Sequence, residues 1–320
     1  SAFWVVNSLF VFALSVFFAG VLIPQILLIS FRKRLFDVPD ERKIHQGVVP
    51  RLGGIAFKPV VFISVALALG LNMLLGYGQL LGNIGSESRP LAFGFCTIMM
   101  LYLVGMADDL IGIRYRAKFA IQIICGLLVI AGGLWINNLH GLLFIHALLE
   151  WIGYPITLFA VVFIINAINL IDGIDGLASG LCGVAMLFYG LVFFIIGEYI
   201  YALLAFATLG VLVPFFYYNV FGDPAKKNKI FMGDTGSLTI GMMTCILSLK
   251  LLNGFPVNPS MQQPNAFFLA YSPLIIPCFD VVRVYLHRVR NGKNPFLPDK
   301  NHIHHNMLAI GMKQRTSIIT

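Results

Sequence analysis

Long apolar runs follow one another along almost the whole chain. A helix that crosses the hydrocarbon core of a bilayer needs about 20 mostly apolar residues. The pattern predicts nine such spans, and the residues from about Thr316 onward predict the beginning of a tenth that is cut short. The predicted spans are 3–31, 54–76, 91–107, 118–135, 154–170, 176–196, 199–221, 236–252 and 266–287. Segment 136–153 is too polar to span, so we expect a short hairpin there.

These runs predict one all-α domain over residues 1–320, a polytopic transmembrane bundle of about ten spans that is truncated at its C-terminus. Composition supports the bilayer as solvent. The chain is 58% hydrophobic and 11% charged, whereas soluble domains carry about 25% charged residues. A surface this poor in charge cannot be covered for contact with water.

Basic residues are concentrated in alternate loops. Loops 31–53, 107–118, 170–176, 221–235 and 287–317 contain most of the 22 Lys and Arg residues. Cytoplasmic loops of membrane proteins carry such an excess, so this set is predicted to lie in the cytoplasm and the N-terminus outside. The net charge of +8 then needs no nucleic acid as partner. The five cysteines lie in apolar stretches without CxxC spacing, which favours free thiols.

Carboxylates also gather in the predicted cytoplasmic loops, beginning with Asp108 and Asp109. Adjacent carboxylates repel each other, and a divalent cation relieves the repulsion. Mg2+ is the usual choice beside phosphates. Arg114 and Lys118 follow, and Lys118 could hold a phosphate. A solvated turn with a basic flank is the simpler alternative.

The second motif is NAINLIDGIDG at 166–176, in which Asn166, Asn169, Asp172 and Asp175 are each three residues apart. If the helix continues, these side chains lie along one ridge. Polar side chains at membrane depth are costly and tend to be functional. The two glycines also allow the helix to break there.

Two further motifs follow. In FMGDTGS, at 231–237, Asp234 is either a helix N-cap or a metal ligand, and the glycines around it could leave N–H groups free for phosphate. The cluster His302, His304 and His305 suits a diphosphate, together with Lys300 and Arg288. Zinc and a solvated loop are the alternatives for these histidines. No P-loop motif occurs.

In this order, the motifs resemble those of the polyprenyl-phosphate N-acetylhexosamine-1-phosphate transferases of glycosyltransferase family 4. The likeness runs from about residue 31 to 316, through HQGVVPRLGG (45–54), Asp108-Asp109, NAINLIDGIDG, FMGDTGS and PDKNHIHH. The NHIHH form looks like the bacterial undecaprenyl-phosphate alpha-N-acetylglucosaminyl 1-phosphate transferases, which serve O-antigen, common-antigen or teichoic-acid synthesis. The phospho-MurNAc-pentapeptide branch usually ends in a different histidine triplet.

The resemblance implies a Mg2+-dependent enzyme, with Mn2+ as a substitute, acting on undecaprenyl phosphate and a UDP-N-acetylhexosamine. It implies a bacterial inner membrane location, a site facing the cytoplasm, and it leaves a homodimer open. The implied roles are catalysis for Asp108 and Asp109, lipid phosphate binding for Lys118 and Arg114, metal binding for Asn169 and Asp234, and nucleotide-sugar binding for Asp172, Asp175, Asn219, Arg288, His302, His304 and His305. Some relatives have Arg after the Asp pair, where this chain has Leu110.

Two other classes compete with this interpretation. A secondary transporter would show inverted repeats and polar groups near the membrane midplane, whereas no repeat is found and the polar groups cluster at one end of the spans. A membrane prenyltransferase also uses aspartates and Mg2+, but NAINLIDGIDG and HIHH fit it poorly.

Overall fold

The computed structural model describes residues 2–35, 48–78, 87–145, 147–254 and 266–290. These residues are almost entirely helical, and the only β-bridge among them joins Asn138 and Ala147. The main helices are α1 (Ala2–Lys33), α2 (Phe57–Leu74), α3 (Ser88–Ile111), α4 (Tyr115–Ala131), α5 (Glu150–Ile171), α6 (Leu177–Ile196), α7 (Tyr199–Val220), α8 (Gly233–Gly254), α9 (Ala266–Tyr271) and α10 (Ile275–Arg290). The prediction of an all-α bundle is confirmed.

Each of the nine predicted spans coincides with a helical segment. Eight segments in the described part of the chain are long and apolar enough to cross a membrane. The predicted span 118–135 is α4, which has 17 residues and is therefore shorter than these eight. The ninth span is broken, because a short 3-10 turn at Ser272–Leu274 separates α9 from α10. The predicted tenth span lies outside the described residues.

The polar segment before α5 forms the predicted non-spanning connection. It contains a short 3-10 turn at Leu142–Phe144, which follows Gly141 in the left-handed backbone region. The bridge between Asn138 and Ala147 closes the connection. Helix α5 then begins at Glu150, four residues earlier than the predicted start at 154.

Helix α8 forms the centre of the bundle. It packs against α3, α5, α6 and α9, and its residues from Thr235 to Leu252 are all buried. Its hydroxyl groups would be costly in this position without partners. Thr239 and Thr244 each donate to the carbonyl four residues earlier, and Ser248 donates to Cys245. These three hydroxyl groups are thus satisfied within the helix itself.

Charged residues tie together three helix ends at the C-terminal end of α8. Lys250 Nζ lies 2.8 Å from Glu87 Oε1 and 3.2 Å from Glu198 Oε1. Tyr201 donates its hydroxyl to Glu87 Oε2 at 2.8 Å. The buried ammonium of Lys250 is therefore compensated by residues at the N-terminal ends of α3 and α7. This cluster lies at the end of α8 opposite Asp234.

Candidate active site

The first turn of α8 is held by a carboxylate from α3. Asp109 Oδ1 accepts the backbone N–H of Asp234 at 2.8 Å, and Oδ2 accepts the N–H of Thr235 at 2.8 Å as well as its hydroxyl. A helix N-terminus carries unpaired N–H groups and partial positive charge, which an anion stabilises. Asp109 is therefore an N-cap supplied by another helix. Two of the N–H groups at this helix start are therefore bonded to Asp109 and are not free for a phosphate, as one interpretation of the motif had suggested.

The glycine pair of PRLGG packs directly on the FMGDTGS segment. Gly53 N–H donates to Phe231 O, and Gly54 N–H donates to Met232 O, both at 2.9 Å. A Cβ atom on Gly54 would lie 2.0 Å from the backbone nitrogen of Gly236. Only glycine allows the two backbones to approach this closely. The first family motif thus supports the turn that carries Asp234.

Lys118 joins two of the predicted site residues. It lies in the first turn of α4, and its Nζ is 2.9 Å from Asp108 Oδ2 and 2.7 Å from Asp234 Oδ2. Asp108 Oδ1 also accepts the N–H of Ile113 at 2.6 Å. Residues from α3, α4 and α8 therefore meet at one ammonium group, and all three side chains are partly buried. Arg114, at the N-cap of α4, is exposed beside this cluster.

Asn169 reaches the same cluster from the last turn of α5. Its amide nitrogen donates to Asp234 Oδ1 at 3.2 Å and to Ser237 Oγ at 2.8 Å. Its carbonyl oxygen is the atom that remains as a ligand for a cation. Asn166, one turn earlier, is instead paired with Gln122 of α4, because its amide nitrogen donates to Gln122 Oε1 at 2.6 Å. Only one of the two asparagines in the motif therefore contacts the aspartate cluster.

The helix does not continue through NAINLIDGIDG. Helix α5 ends at Ile171 and α6 begins at Leu177, after Gly176 adopts a left-handed φ of 80°. Asp172 and Asp175 therefore lie in a loop and do not extend the ridge of Asn169. Burial raises the pKa of the Asp172 carboxyl well above its usual range; the Arg51 guanidinium opposes this shift, and three neighbouring aspartates reinforce it. A cation bound beside this loop would favour the ionised form.

Asp175 and Asn219 are both buried and both bonded to protein groups. Asp175 Oδ2 pairs with Lys229 Nζ at 2.5 Å. Asn219 Oδ1 accepts the N–H of Gly176 at 2.6 Å, and its Nδ2 donates to Ile230 O at 2.9 Å. The nucleotide-sugar roles of Asp175 and Asn219 remain predictions. The contacts that the structure gives them connect two loops of the site.

The remaining predicted residues are placed less fully. His302, His304 and His305 lie outside the described residues, as does His45 at the start of HQGVVPRLGG. The backbone of Arg288 belongs to α10. The diphosphate site expected from these residues therefore stays a prediction.

Sequence reasoning missed three contributors to the site. Lys229 is one of several lysines in a basic loop, and nothing in that loop distinguishes it from its neighbours. Thr235 donates to Asp109 through both its N–H and its hydroxyl. Gly54 belongs to the first motif, but its partner is about 180 residues away in the chain, so no local pattern indicates the contact.

The central part of the chain matches a known protein family. The family model described as Glycosyl transferase family 4 matches residues 91–252, which include the aspartate cluster and all but the last two residues of α8. The chain belongs to glycosyl transferase family 4. The matched residues of the family therefore include Asp108, Asn169 and Asp234, which the structure brings together.

Curated members of the family are similar over most of their length. A Bacillus subtilis (strain 168) protein named probable undecaprenyl-phosphate N-acetylglucosaminyl 1-phosphate transferase is 31% identical over 96% of this chain and 79% of its own length. Two further relatives are named undecaprenyl-phosphate alpha-N-acetylglucosaminyl 1-phosphate transferase. The Yersinia pestis protein is 31% identical over 91% of this chain and 74% of its own length. The Escherichia coli (strain K12) protein is 32% identical over 89% of this chain and 72% of its own length.

Proposed function

We propose that this chain transfers N-acetylglucosamine-1-phosphate from UDP-GlcNAc to undecaprenyl phosphate, giving undecaprenyl-diphospho-GlcNAc and UMP. The observation that carries the proposal is the meeting of Asp108, Lys118 and Asp234 at one end of a membrane-spanning bundle. An anionic lipid headgroup reaches that level without leaving the bilayer. The names of the similar proteins support the same reaction class.

The donor set fits Mg2+, with Mn2+ as a substitute. No group of three His, Cys, Asp or Glu side chains in the described ranges could hold a metal ion by itself. Mg2+ is usually bound by one or two carboxylates together with waters and substrate phosphates. Asp234 and the amide oxygen of Asn169 would hold the ion. When bound, it would neutralise charge on the transferring phosphates.

Each protein group then has a role in the displacement. Lys118 would offset the charge of the lipid phosphate, and Asp108 would orient that phosphate and accept its proton if it arrives protonated. An oxygen of the lipid phosphate attacks the β-phosphorus of the sugar nucleotide. The bond between that phosphorus and the oxygen bridging to UMP breaks, and UMP leaves. We favour this direct displacement, which a trapped phospho-enzyme on Asp108 would contradict.

The charges of the loops indicate which side of the membrane the site faces. The loops at this end belong to the set that carries most of the Lys and Arg residues, which supports a cytoplasmic orientation. The names of the similar bacterial proteins favour the inner membrane as the location. A cytoplasmic nucleotide sugar can reach this face directly. The reaction would be the first membrane step in the synthesis of a cell-envelope polymer, either O-antigen, common antigen or teichoic acid. Another UDP-N-acetylhexosamine or phospho-MurNAc-pentapeptide is the alternative donor.

The test is a transfer assay with purified protein, undecaprenyl phosphate and radiolabelled UDP-sugars. We expect label from UDP-GlcNAc to enter the lipid phase with release of UMP, and we expect EDTA to stop transfer reversibly with Mg2+. Asp108→Asn and Asp234→Asn should abolish transfer. Asp223→Asn is the matched control, since Asp223 caps a short 3-10 turn in a loop of the same face. Full activity in EDTA or in either site variant would refute this assignment of the site, and failure of label to enter the lipid phase from UDP-GlcNAc would overturn the proposed reaction.

A further inference from the structure

A buried ion pair joins the loop that carries Asp172 to the loop that leads into Asp234 at the start of α8. Lys229 Nζ is 2.5 Å from Asp175 Oδ2, and the two residues are only 6% and 7% exposed. Removing two charges from water costs several kcal/mol per ion, which close pairing must offset. Such a pair contributes little net stability compared with apolar residues of the same volume. The ion pair is therefore better explained by the loop residues that it holds in position than by a contribution to stability.

Asn219 links the same two segments beside the ion pair. It is 5% exposed, accepts the N–H of Gly176 and donates to the carbonyl of Ile230. Residues 175–176 are thus joined to residues 229–230 by one ion pair and one amide bridge. We call Asp175, Asn219 and Lys229 the loop clamp.

The loop clamp lies next to two residues of the proposed chemistry. Asp172 is three positions before Asp175 on the loop after α5, and Asp234 is five positions after Lys229, in the first turn of α8. The loop between Ile171 and Leu177 has no helical backbone of its own to fix it. The clamp therefore sets where Asp172 stands relative to Asp234.

We propose that Lys229 is a positioning residue for sugar-phosphate transfer, and that Asp175 acts through Lys229 as part of the same unit. The clamp would hold Asp172, a proposed contact of the nucleotide sugar, at a fixed separation from the proposed metal ligand Asp234. This inference rests on the proposed function. It differs from the resemblance, which assigns Asp175 directly to the nucleotide sugar and gives Lys229 no role.

A double-mutant cycle separates the two roles of Asp175. Lys229→Gln leaves a buried carboxylate without its ammonium, and Asp175→Asn leaves a buried ammonium without its carboxylate. The double variant contains neither charge. If the residues act as a unit, each single change should raise KM for UDP-GlcNAc by roughly tenfold, and the double variant should lose less than the product of the two effects. The KM for undecaprenyl phosphate should not change.

A purely structural role would not produce this split between the two KM values, since loss of folded enzyme lowers the rate with both substrates alike. Lys226→Gln is the matched control, because it removes an exposed lysine three residues earlier in the same loop. It should retain both wild-type KM values. If Lys229→Gln does not accumulate as folded protein, Lys229→Arg carries the test, since it keeps the charge but changes its reach. Wild-type constants in that variant would overturn the proposal.

Two results distinguish this inference from the proposed function. If the wild-type protein transfers no sugar phosphate from UDP-GlcNAc, the function itself fails. If it does transfer, but Asp175→Asn and Lys229→Gln have multiplicative effects on KM for UDP-GlcNAc, Asp175 acts independently of Lys229 and the inference alone is wrong. Equal rises in both KM values would also overturn it.

Discussion

The adjacent aspartates of α3 should respond in opposite ways to the same substitution. Asp109 accepts three hydrogen bonds from the first turn of α8, two of them from backbone N–H groups. In Asp109→Asn, the side-chain amide presents N–H donors to one of these groups. Asp108 contacts a lysine side chain and one backbone N–H at the edge of the cluster. Asp109→Asn should therefore destabilise the fold, and Asp108→Asn should mainly stop the chemistry.

The expected loss of folding stability in Asp109→Asn follows from the backbone groups that lose their hydrogen-bond acceptor. A buried N–H that loses its acceptor costs about 1–3 kcal/mol. The lost negative charge at a helix N-terminus adds about 0.3–1 kcal/mol. We expect Asp109→Asn to lose roughly 2–4 kcal/mol, which lowers the apparent Tm by about 5–10 °C. For Asp108→Asn the partly exposed ion pair with Lys118 contributes at most about 1 kcal/mol.

Thermal unfolding in detergent can be followed with a thiol-reactive fluorophore, since Cys125, Cys182 and Cys245 are buried free thiols that react on unfolding. Asp108→Asn should unfold within about 3 °C of the wild type and transfer no sugar phosphate. Asp109→Asn should unfold earlier and lose transfer at temperatures where its fold is incomplete. A wild-type Tm for Asp109→Asn, or a larger loss for Asp108→Asn, would refute the assignment of Asp109 as the cap of α8.

Two further predictions concern packing away from the aspartates. Gly54→Ala should prevent accumulation of folded protein, because its Cβ would overlap the backbone of Gly236. The measurement is the monodisperse fraction in size-exclusion chromatography. Gly70→Ala is the control and should behave as wild type, since nothing lies within 4 Å of the added carbon. Lys250→Met should lower the Tm, because it removes the ammonium that pairs with Glu87 and Glu198, but should not change KM for UDP-GlcNAc, since Lys250 lies at the opposite end of α8. A changed KM in Lys250→Met would contradict this separation.

The spans were predictable because hydrophobicity along the chain reports the bilayer directly. Helix α8 is instructive in this respect, since it is the least apolar of the eight candidate spans and is wholly buried in protein. Its sequence predicts a span but gives no sign that it is the central helix. That information lies in contacts such as Gly54 with Gly236, between residues far apart in sequence. Only the folded chain brings such partners together.

The meeting of Asp108, Asn169 and Asp234 at one end of the bundle was also predictable, whereas the different contacts of neighbouring aspartates were not. Asp109 and Asp108 are neighbours with the same side chain, and Asp172 and Asp175 repeat within one short motif. Their partners distinguish them, and those partners come from other helices. The contribution of Lys229 to the site is recognised only from its ion pair with Asp175 in the structure.

The structure therefore divides five aspartates into two functional groups. Asp109 accepts hydrogen bonds from the N-terminus of α8, and Asp175 forms an ion pair with the buried ammonium group of Lys229. These two carboxylates therefore stabilise the structure of the site. Asp108 and Asp234 share a single lysine, so the proposed substrates and cation could compete for their charge, and a cation beside the buried Asp172 would favour its ionised form. Replacing each aspartate by Asn should thus give two phenotypes: reduced stability or a misplaced loop for the first pair, and a folded protein with failed transfer for the other three.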